Sequence, residues 1–322
     1  MPIMKNDVRL PDFFIAGAMK CGTTTLHHIL NGHPDVFIPP RENFFFNIDD
    51  FQQHPEFFPY HRGKWWSKEF NANFELYMKW YNLRFMEAAD GQIIGDDTTT
   101  YLPSPKTHSR ISELIPDAKL IVMLRDPASR TYSQYWRDLR TGRVVFDFEG
   151  SLRFGPSTLI ERSLYKKQVE SLLRFFPAEK LLFILFEEFI ADMESEMLRV
   201  QDFLGLGGKI DLNRIETHHN PAQIPSSVNL HIWRNRLLRK MDGRKFIKRL
   251  PDMPLQSDHS LSYLIQRTLH DVHRKINPYR RVKAPQMSKE TRHFLNSLFE
   301  RENRGLSDLI GKDVTSLWYS DG

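Results

Sequence analysis

The stretch that decides the fold is Phe13–Leu26, whose sequence is FFIAGAMKCGTTTL. Its apolar start predicts a buried strand, and Gly17 and Gly22 predict a turn into a helix that begins at the threonines. Glycines let a backbone turn its N–H groups inward, and a helix N-terminus adds its dipole to such a nest. Lys20 places a positive charge inside the same loop. The stretch therefore predicts a binding site for a phosphate-like anion.

The spacing of this loop nearly matches the phosphate loop of nucleotide-binding enzymes, G-x-x-x-x-G-K-[ST]. Here Thr23 follows Gly22, and the lysine stands three positions earlier than in that motif. In nucleoside triphosphate enzymes, the lysine after the second glycine reaches the β- and γ-phosphates. Its absence from that position indicates a loop built for a shorter anion than a triphosphate.

A candidate general base follows at Glu42, between Arg41 and the aromatic run Phe44–Phe46. Burial against aromatic rings and a nearby arginine can both shift the pKa of a carboxyl group, and general-base work requires such tuning. The alternative is an ordinary solvated glutamate, since most glutamates lie at the surface.

Two further segments lead from an apolar strand into polar residues. Ile93–Gly95 runs into the polar cluster Asp96–Leu102, and Lys119–Leu124, an apolar run typical of a buried parallel strand, ends at Arg125. Ligands of open α/β sheets bind at the carboxyl ends of the strands. An arginine fork together with the hydroxyl of Ser133, on the following helix, can clamp a phosphate.

Together these motifs resemble those of sulfotransferases that use 3′-phosphoadenosine 5′-phosphosulfate (PAPS), in particular the heparan sulfate and carbohydrate sulfotransferase domains. Gly17–Thr25 resembles the family's 5′-phosphosulfate loop, Arg41–Phe46 its Lys-Glu-x-x-Phe-Phe segment, and Leu124–Ser133 its 3′-phosphate motif. Arg41 stands where lysine is more usual. Gly95–Leu102 is similar to the segment that lines the acceptor side, and the likeness spans nearly the whole chain.

The resemblance implies a role for each part of the site. Lys20 and Glu42 are the implied catalytic residues: Lys20 stabilises the departing nucleotide 3′-phosphoadenosine 5′-phosphate (PAP), and Glu42 deprotonates a hydroxyl or amine acceptor. The residues implied to bind the nucleotide are Gly17, Ala18, Met19, Lys20, Cys21, Gly22, Thr23, Thr24, Thr25, Arg125 and Ser133. Asp97, Thr98 and Phe45 are implied on the acceptor side. PAPS is the implied cofactor, and the scheme requires no metal.

Other functions fit parts of the pattern. A kinase or nucleoside triphosphatase would use Glu187 or Asp126 to hold magnesium, and the missing lysine after Gly22 argues against it. A cysteine phosphatase would need an arginine six residues after Cys21, where His27 stands. A module that binds sulfate or a nucleotide without turnover stays open.

The length and composition favour one domain. A chain of 322 residues with 40% hydrophobic content can bury a large core. We expect a single sulfotransferase domain over residues 1–322, with a core at about 10–210 and a helical C-terminal extension at about 225–322. The implied fold is α/β, with a central parallel β-sheet flanked by helices. The net charge of +5 suits an anionic substrate and is too small to indicate a nucleic-acid partner.

Three sequence features bear on compartment and metal binding. One cysteine excludes an intramolecular disulfide framework, and no apolar run reaches the length of about 18 residues that a membrane span needs. The N-terminus has no signal-peptide core, so we expect a cytoplasmic location and a soluble, bacterial-type enzyme or an excised domain. The adjacent His218 and His219 have no third ligand at useful spacing and predict no metal site.

The sequence constrains the acceptor least. Aromatic rings at Phe44–Phe46 and Trp65–Trp66 suit a sugar, an apolar chain or a polyketide, and a carbohydrate is our first choice among glycan and small-molecule acceptors. For Trp65–Trp66 and Trp80–Tyr81, packing in the core is the commoner role. Asn229–Leu250 predicts a basic amphipathic helix that packs its apolar stripe on the core, with an acidic acceptor, lipid headgroups or the cofactor as alternatives. The stripe consists of Leu230, Trp233, Leu237 and Met241.

Overall fold

A five-stranded parallel sheet forms the centre of the protein. The computed structural model describes residues 8–61, 63–67, 69–208, 223–238, 251 and 261–319. The strands are β1 (Phe13–Gly17), β2 (Val36–Phe37), β3 (Tyr60–His61), β4 (Lys64–Trp65), β5 (Ile93–Asp97), β6 (Lys119–Leu124), β7 (Leu181–Leu185), β8 (Gln223–Pro225) and β9 (Tyr279–Arg281). The central sheet has the order β2-β5-β1-β6-β7, while β3 pairs with β4 and β8 with β9 in small antiparallel ribbons. The predicted α/β class with a central parallel sheet is confirmed.

Helices connect and flank these strands. They are α1 (Thr23–Asn31), α2 (Phe74–Asn82), α3 (Pro105–Leu114), α4 (Pro127–Arg140), α5 (Phe148–Phe154), α6 (Thr158–Glu161), α7 (Tyr165–Leu173), α8 (Phe186–Ala191), α9 (Met193–Leu204), α10 (Val228–Leu238), α11 (Leu261–Ile276), α12 (Lys289–Glu302), α13 (Leu306–Ile310) and α14 (Val314–Tyr319). Within the described ranges, no helix combines the length and the apolar character that crossing a bilayer requires.

Strand β1 lies in the middle of the sheet and is buried at all of its five positions. Its Ile15 is level with Asp97 of β5 on one side and with Ile121 of β6 on the other. The chain passes to β2 and β5 on one side of β1 before it crosses to β6 and β7, so the strand order reverses at β1. The crevice at such a reversal is where open α/β sheets bind ligands.

The C-terminal segment packs on α4 through an apolar cluster of its own. Tyr135 and Leu139 of α4 pack with Ile232 of α10 and with Leu295 and Phe299 of α12. These contacts fix the C-terminal helices against the helix that follows β6. The segment is therefore placed at the same end of the sheet as the residues after that strand.

The prediction that the helix α10 packs its apolar stripe on the core is wrong. Trp233 and Leu237 are 60% and 57% exposed, whereas His231 and Asn235 are buried. His231 Nε2 is 3.1 Å from the carbonyl oxygen of Leu139, and Asn235 Nδ2 donates to the same oxygen at 2.7 Å. Carbonyls at a helix end need such partners, and α10 buries its polar side to provide them. Residues 239–250 of the predicted helix lie outside the described residues.

The prediction of core packing holds for one of the two aromatic pairs. Tyr81 is fully buried, as expected. Trp65 and Trp66, on and after the short ribbon β3–β4, are 64% and 44% exposed, so the prediction is wrong for them. A two-stranded ribbon leaves one of its two faces exposed to solvent. The alternation of side chains along its strands does not tell which of the two faces is exposed.

Candidate active site

The loop between β1 and α1 has the conformation that its glycines make accessible. Gly17 has φ +151° and Gly22, the N-cap of α1, has φ +92°. A Cβ on Gly17 would lie 2.9 Å from Cβ of Leu102 and 3.0 Å from the carbonyl oxygen of Thr99. A Cβ on Gly22 would lie 2.9 Å from Cδ2 of Phe186. Both positions therefore combine a backbone conformation that favours glycine with close neighbours, and Gly17 lies directly against the residues that follow β5.

The N-terminus of α1 is open to an anion. No side chain caps it, and its first turn contains no acidic residue. In the first turn the amide of Thr25 donates to the carbonyl oxygen of Gly22 at 2.9 Å, whereas the amides of Thr23 and Thr24 have no acceptor within the helix. The helix dipole also favours negative charge at this end. Lys20, at φ +75°, belongs to the same loop. Loop and helix start thus have the geometry of an anion-binding nest.

The loop cysteine has no nucleophilic character. Cys21 is fully buried, and burial raises the pKa of its thiol to about 12. A thiol with such a pKa is neutral at physiological pH and is a poor nucleophile. The structure therefore gives no support to a cysteine phosphatase.

Lys20 lies in a strongly cationic environment. Burial, together with the charges of Arg137, Arg140 and Arg125, lowers the pKa of Lys20 to about 8. Neighbouring cations repel one another and lower each other's pKa, and a bound polyanion relieves this repulsion. A cluster of cations of this kind is therefore typical of a site that binds a polyanion.

Arg125 joins the loop to the end of β6. Its Nη1 donates to the carbonyl oxygen of Lys20 at 3.3 Å, and its guanidinium lies 4.5 Å from the centroid of the Phe186 ring. Among the described residues, no carboxylate forms an ion pair with Arg125. Its planar group is held by the ring and by one carbonyl, and its remaining donors are available to a ligand.

One cavity brings together three of the residues predicted from the sequence. It has a volume of about 740 Å³ and contains Lys20, Arg125 and Ser133 in its wall. The other lining residues are Ser129, Tyr132, Trp136, Arg137, Arg140, Gln223, Lys283, Ala284, Pro285, Gln286, Met287 and Arg292. Helix α4 supplies one wall, and the segment before and at the start of α12 supplies another.

Sequence reasoning missed the contribution of the C-terminal segment to this cavity. Lys283 adds a cation to the wall. Arg292 donates to Asp126 from both terminal nitrogens, at 2.7 and 3.0 Å, and so ties α12 to the N-cap of α4. The only signal in the sequence is a pair of cations that flank the helix cap Ser288, a pattern too common to identify a site.

Glu42 is held at the end of β5 beside the loop. Its Oε1 accepts from the backbone N of Thr99 at 3.1 Å and from Oγ1 of Thr99 at 2.6 Å. Since the carbonyl of Thr99 packs against Gly17, the carboxylate is placed next to the loop. No residue in the described ranges donates a hydrogen bond to Oε2, and Arg41 is exposed.

The three residues predicted on the acceptor side have different positions. Asp97 adjoins Glu42, and its Oδ2 is 3.1 Å from Nδ1 of His27 on α1. Thr98 is fully buried and accepts from the backbone N of Asn43 at 3.1 Å, so it supports the Glu42 segment from behind. Phe45 is also fully buried and stacks on Tyr81 at 4.2 Å between ring centroids. Phe45 therefore belongs to the core and does not line the site.

The ionisation of Asp97 is unusual. Burial raises the pKa of Asp97 to about 6; the hydrogen bond with His27 opposes this shift, and the charge of Glu42 adds to it. The side chain is 14% exposed, and its Oδ1 is buried without a hydrogen-bond partner.

The two carboxylates that a magnesium-dependent enzyme would use already have partners. Glu187 accepts from the backbone N of Asp126 at 3.0 Å and from Nε1 of Trp318 at 3.2 Å. Asp126 accepts from the backbone N of Ser129 at 2.6 Å as well as from Arg292. In the part of the chain that is described, no three potential ligands are grouped around a metal position. His218 and His219 lie outside those residues.

The fold and the site define an α/β protein in which a strand, a glycine-containing loop and a helix N-terminus meet at the reversal of the sheet, an arrangement typical of anion-binding sites. Residues 11–208 match the sequence profile described as the Sulfotransferase family, and the chain belongs to that family. It is 33% identical over 206 residues to heparan sulfate glucosamine 3-O-sulfotransferase 3A1 of Mus musculus, covering 62% of this chain and 46% of that protein. It is 34% identical over 207 residues to the 3B1 enzyme of Homo sapiens, covering 62% and 47%.

The chain spans about half the length of the curated relatives it matches. Among solved structures, a sulfotransferase from Alicyclobacillus acidocaldarius superposes with a TM-score of 0.60 at 24% identity, covering 97% of this chain and all of that one. This similarity shows a common fold that includes the C-terminal segment.

Proposed function

We propose that this protein transfers a sulfuryl group from PAPS to a hydroxyl or amine acceptor and releases PAP. The observation that carries the proposal is the convergence of Lys20, Arg125 and Ser133 on one cationic cavity. Glu42 is held by Thr99 on the other side of the loop that contains Lys20. Membership of the Sulfotransferase family supports the reaction class. The names of the curated relatives support a glycan as the acceptor.

The loop and Lys20 serve the leaving group. In the proposed reaction the acceptor oxygen or nitrogen attacks sulfur, the bond between sulfur and the bridging oxygen of the 5′-phosphate breaks, and that oxygen retains the electron pair. The amides of the nest, the hydroxyls of Thr23 and Thr24, and Lys20 stabilise the charge that develops there. Preorganised donors of this kind usually supply the largest share of a rate enhancement.

Arg125 and Ser133 bind the 3′-phosphate. Arg125 contacts the carbonyl of Lys20, so a nucleotide held by the arginine is placed at the loop that holds its 5′ end. Binding energy from this remote phosphate orients the reacting sulfur. The same two residues distinguish a nucleotide with a 3′-phosphate from one without it.

Glu42 accepts the proton of the acceptor. Thr99 fixes one carboxylate oxygen through two hydrogen bonds, and the other oxygen is free to accept a proton. A base needs this combination of fixed position and open lone pair.

We also propose that residues 1–322 act as one sulfotransferase domain, in which the C-terminal extension completes the donor cavity with Lys283 and Arg292. The cytoplasmic location and the freedom from any metal requirement stay predictions. A kinase or nucleoside triphosphatase is disfavoured because Glu187 and Asp126 are already engaged by hydrogen-bond donors.

The test is a transfer assay with radiolabelled PAPS and a panel of glycan and small hydroxyl and amine acceptors. We expect label in an acceptor and an equal amount of PAP, with no phosphate transfer from ATP and magnesium. Binding of PAP without transfer to any acceptor would instead indicate a non-catalytic module.

A further inference from the structure

The end of β5, which is the acceptor side under the proposed function, is acidic, although the cavity that contains Lys20 and Arg125 is cationic. Glu42 and Asp97 both lie at the end of β5, since Thr99, which holds Glu42, is two residues after Asp97. The charged groups with the largest influence on Asp97 are His27, Glu42 and Asp96, none of them lysine or arginine. Arg41 is exposed, so solvent screens its charge.

Asp97 has an unused hydrogen-bond acceptor. Oδ2 is engaged by His27, whereas Oδ1 is buried and has no partner in the described part of the chain. Buried polar atoms in native proteins are nearly always paired, so an exception such as Oδ1 calls for an explanation, and a partner supplied by a ligand is one. An acceptor that donates a hydrogen bond to Oδ1 would satisfy it.

An acceptor with an anionic group would be repelled at this position. A carboxylate or sulfate next to the attacking atom would face two carboxyl groups in a partly buried site, where like charges repel strongly. Two of the relatives are named for heparan sulfate, which carries both kinds of anion. The charges around Asp97 do not suit that polymer.

On the basis of the proposed function, we infer that Asp97 is a specificity-determining residue: it selects an acceptor whose group beside the attacking atom donates hydrogen bonds, a protonated amine best of all, and it rejects acceptors with an anion there. His27 fixes the orientation of Asp97 through Oδ2 and leaves Oδ1 for the acceptor. Glu42 remains the base.

The test measures binding of three hexasaccharides to the full chain saturated with PAP, by calorimetry at moderate salt. The probes are a glucosamine hexamer, which is cationic, its N-acetylated counterpart, which is neutral, and a heparin hexasaccharide, which is anionic. We expect the cationic probe to bind about tenfold or more tightly than heparin, the effect of a single favourable charge contact, with the neutral probe between them.

Two variants separate Asp97 from the general charge of the protein. Asp97→Asn keeps the shape and should weaken the cationic probe about tenfold while it leaves or improves heparin binding. Asp90→Asn removes an exposed acid of the same type and should change neither affinity. Binding of PAP serves as the check that Asp97→Asn has folded. If the variant does not bind PAP, the inference is tested by the order of the three hexasaccharide affinities for the wild type.

The inference is overturned if heparin binds the wild type more tightly than the glucosamine hexamer, if Asp97→Asn leaves that hexamer's affinity unchanged, or if none of the probes binds. Each of these results leaves the proposed function intact as long as PAP binds. Failure of PAP itself to bind would overturn the proposed function, so the two failures are distinguishable.

Discussion

The guanidinium of Arg125 donates from Nη1 to the carbonyl oxygen of Lys20 at 3.3 Å. A residue at the end of β6 and a residue of the loop after β1 are thus in direct contact, although 105 positions separate them in the chain. The contact fixes Arg125 against the backbone of the loop that contains Lys20, so the residue proposed to bind the 3′-phosphate and the loop proposed to bind the 5′ end have fixed relative positions.

Lys20→Ala should reduce turnover far more than affinity for PAP. Loss of one preorganised donor to a developing charge typically costs about 10²–10³-fold in kcat. The comparison is PAP release from PAPS against calorimetric binding of PAP. Lys79→Ala, which removes an exposed lysine of α2, is the control. Unchanged turnover in Lys20→Ala would contradict the assignment.

The affinity for PAP should depend on pH through Lys20. Burial and the charges of Arg137, Arg140 and Arg125 place the pKa of Lys20 near 8 in the free protein, so the side chain is charged below that pH and loses its proton above it. A bound anion favours the charged form, and affinity should therefore fall modestly as pH rises through 8, by no more than the small loss of affinity expected for Lys20→Ala. Lys20→Arg should move the decline upward. Constant affinity from pH 7 to 9.5 would count against this role.

Arg125→Ala should weaken PAP and leave AMP almost unchanged. A charge-assisted hydrogen bond contributes about 1.5–3 kcal/mol, which corresponds to roughly 10–150-fold in affinity. Ser133→Ala should act in the same direction with a smaller effect, and Arg153→Ala, at an exposed position, should have none. An equal loss for PAP and AMP would show that Arg125 binds a part common to both nucleotides.

Glu42→Gln should lower kcat without loss of PAP affinity. Removal of a positioned general base typically costs about 10²–10⁴-fold in rate. The amide can still accept from Thr99, so the local structure should persist. Glu87→Gln, an exposed substitution of the same kind, serves as the control, and retention of full activity in Glu42→Gln would exclude the base role.

Asp97→Asn should stabilise the protein at neutral pH. The pKa of Asp97 is raised to about 6 in the fold, above its unfolded value, so the folded state holds the proton more tightly. Stability is then lost as pH rises from about 4 to about 6, and the cost persists above that range. The substitution should raise the free energy of unfolding by roughly 1–3 kcal/mol at pH 7 and by little at pH 4. Denaturant unfolding at both pH values tests this; a gain confined to pH 4 would reverse the predicted sign.

The parts of the site that are local in sequence were predictable. Lys119–Leu124 is a strand with the expected bounds. A short run of apolar residues that ends at a charged residue, here Arg125, is typical of a buried parallel strand. The loop conformation follows from its glycines. Glu42 and Asp97 could be recognised as polar residues near strand ends, but their adjacency depends on the pairing of β2, which precedes Glu42, with β5.

The rest depends on packing between distant segments. Lys283 and Arg292 reach the cavity only because α12 packs on α4, which no local pattern of residues 283–292 encodes. The buried face of α10 was mispredicted because polar side chains there satisfy carbonyl groups at the end of α4, and periodicity counts only apolar residues.

The central claim is that the cavity is built for a nucleotide with a 3′-phosphate and without magnesium. It is tested most directly by thermal unfolding of the wild type with PAP, with AMP, and with ADP plus magnesium, each at the same concentration. We expect PAP to stabilise the protein by about 2.7 kcal/mol once it reaches a hundred times its Kd, and the other two ligands to stabilise it much less. Stabilisation by ADP and magnesium equal to or greater than that by PAP would contradict it.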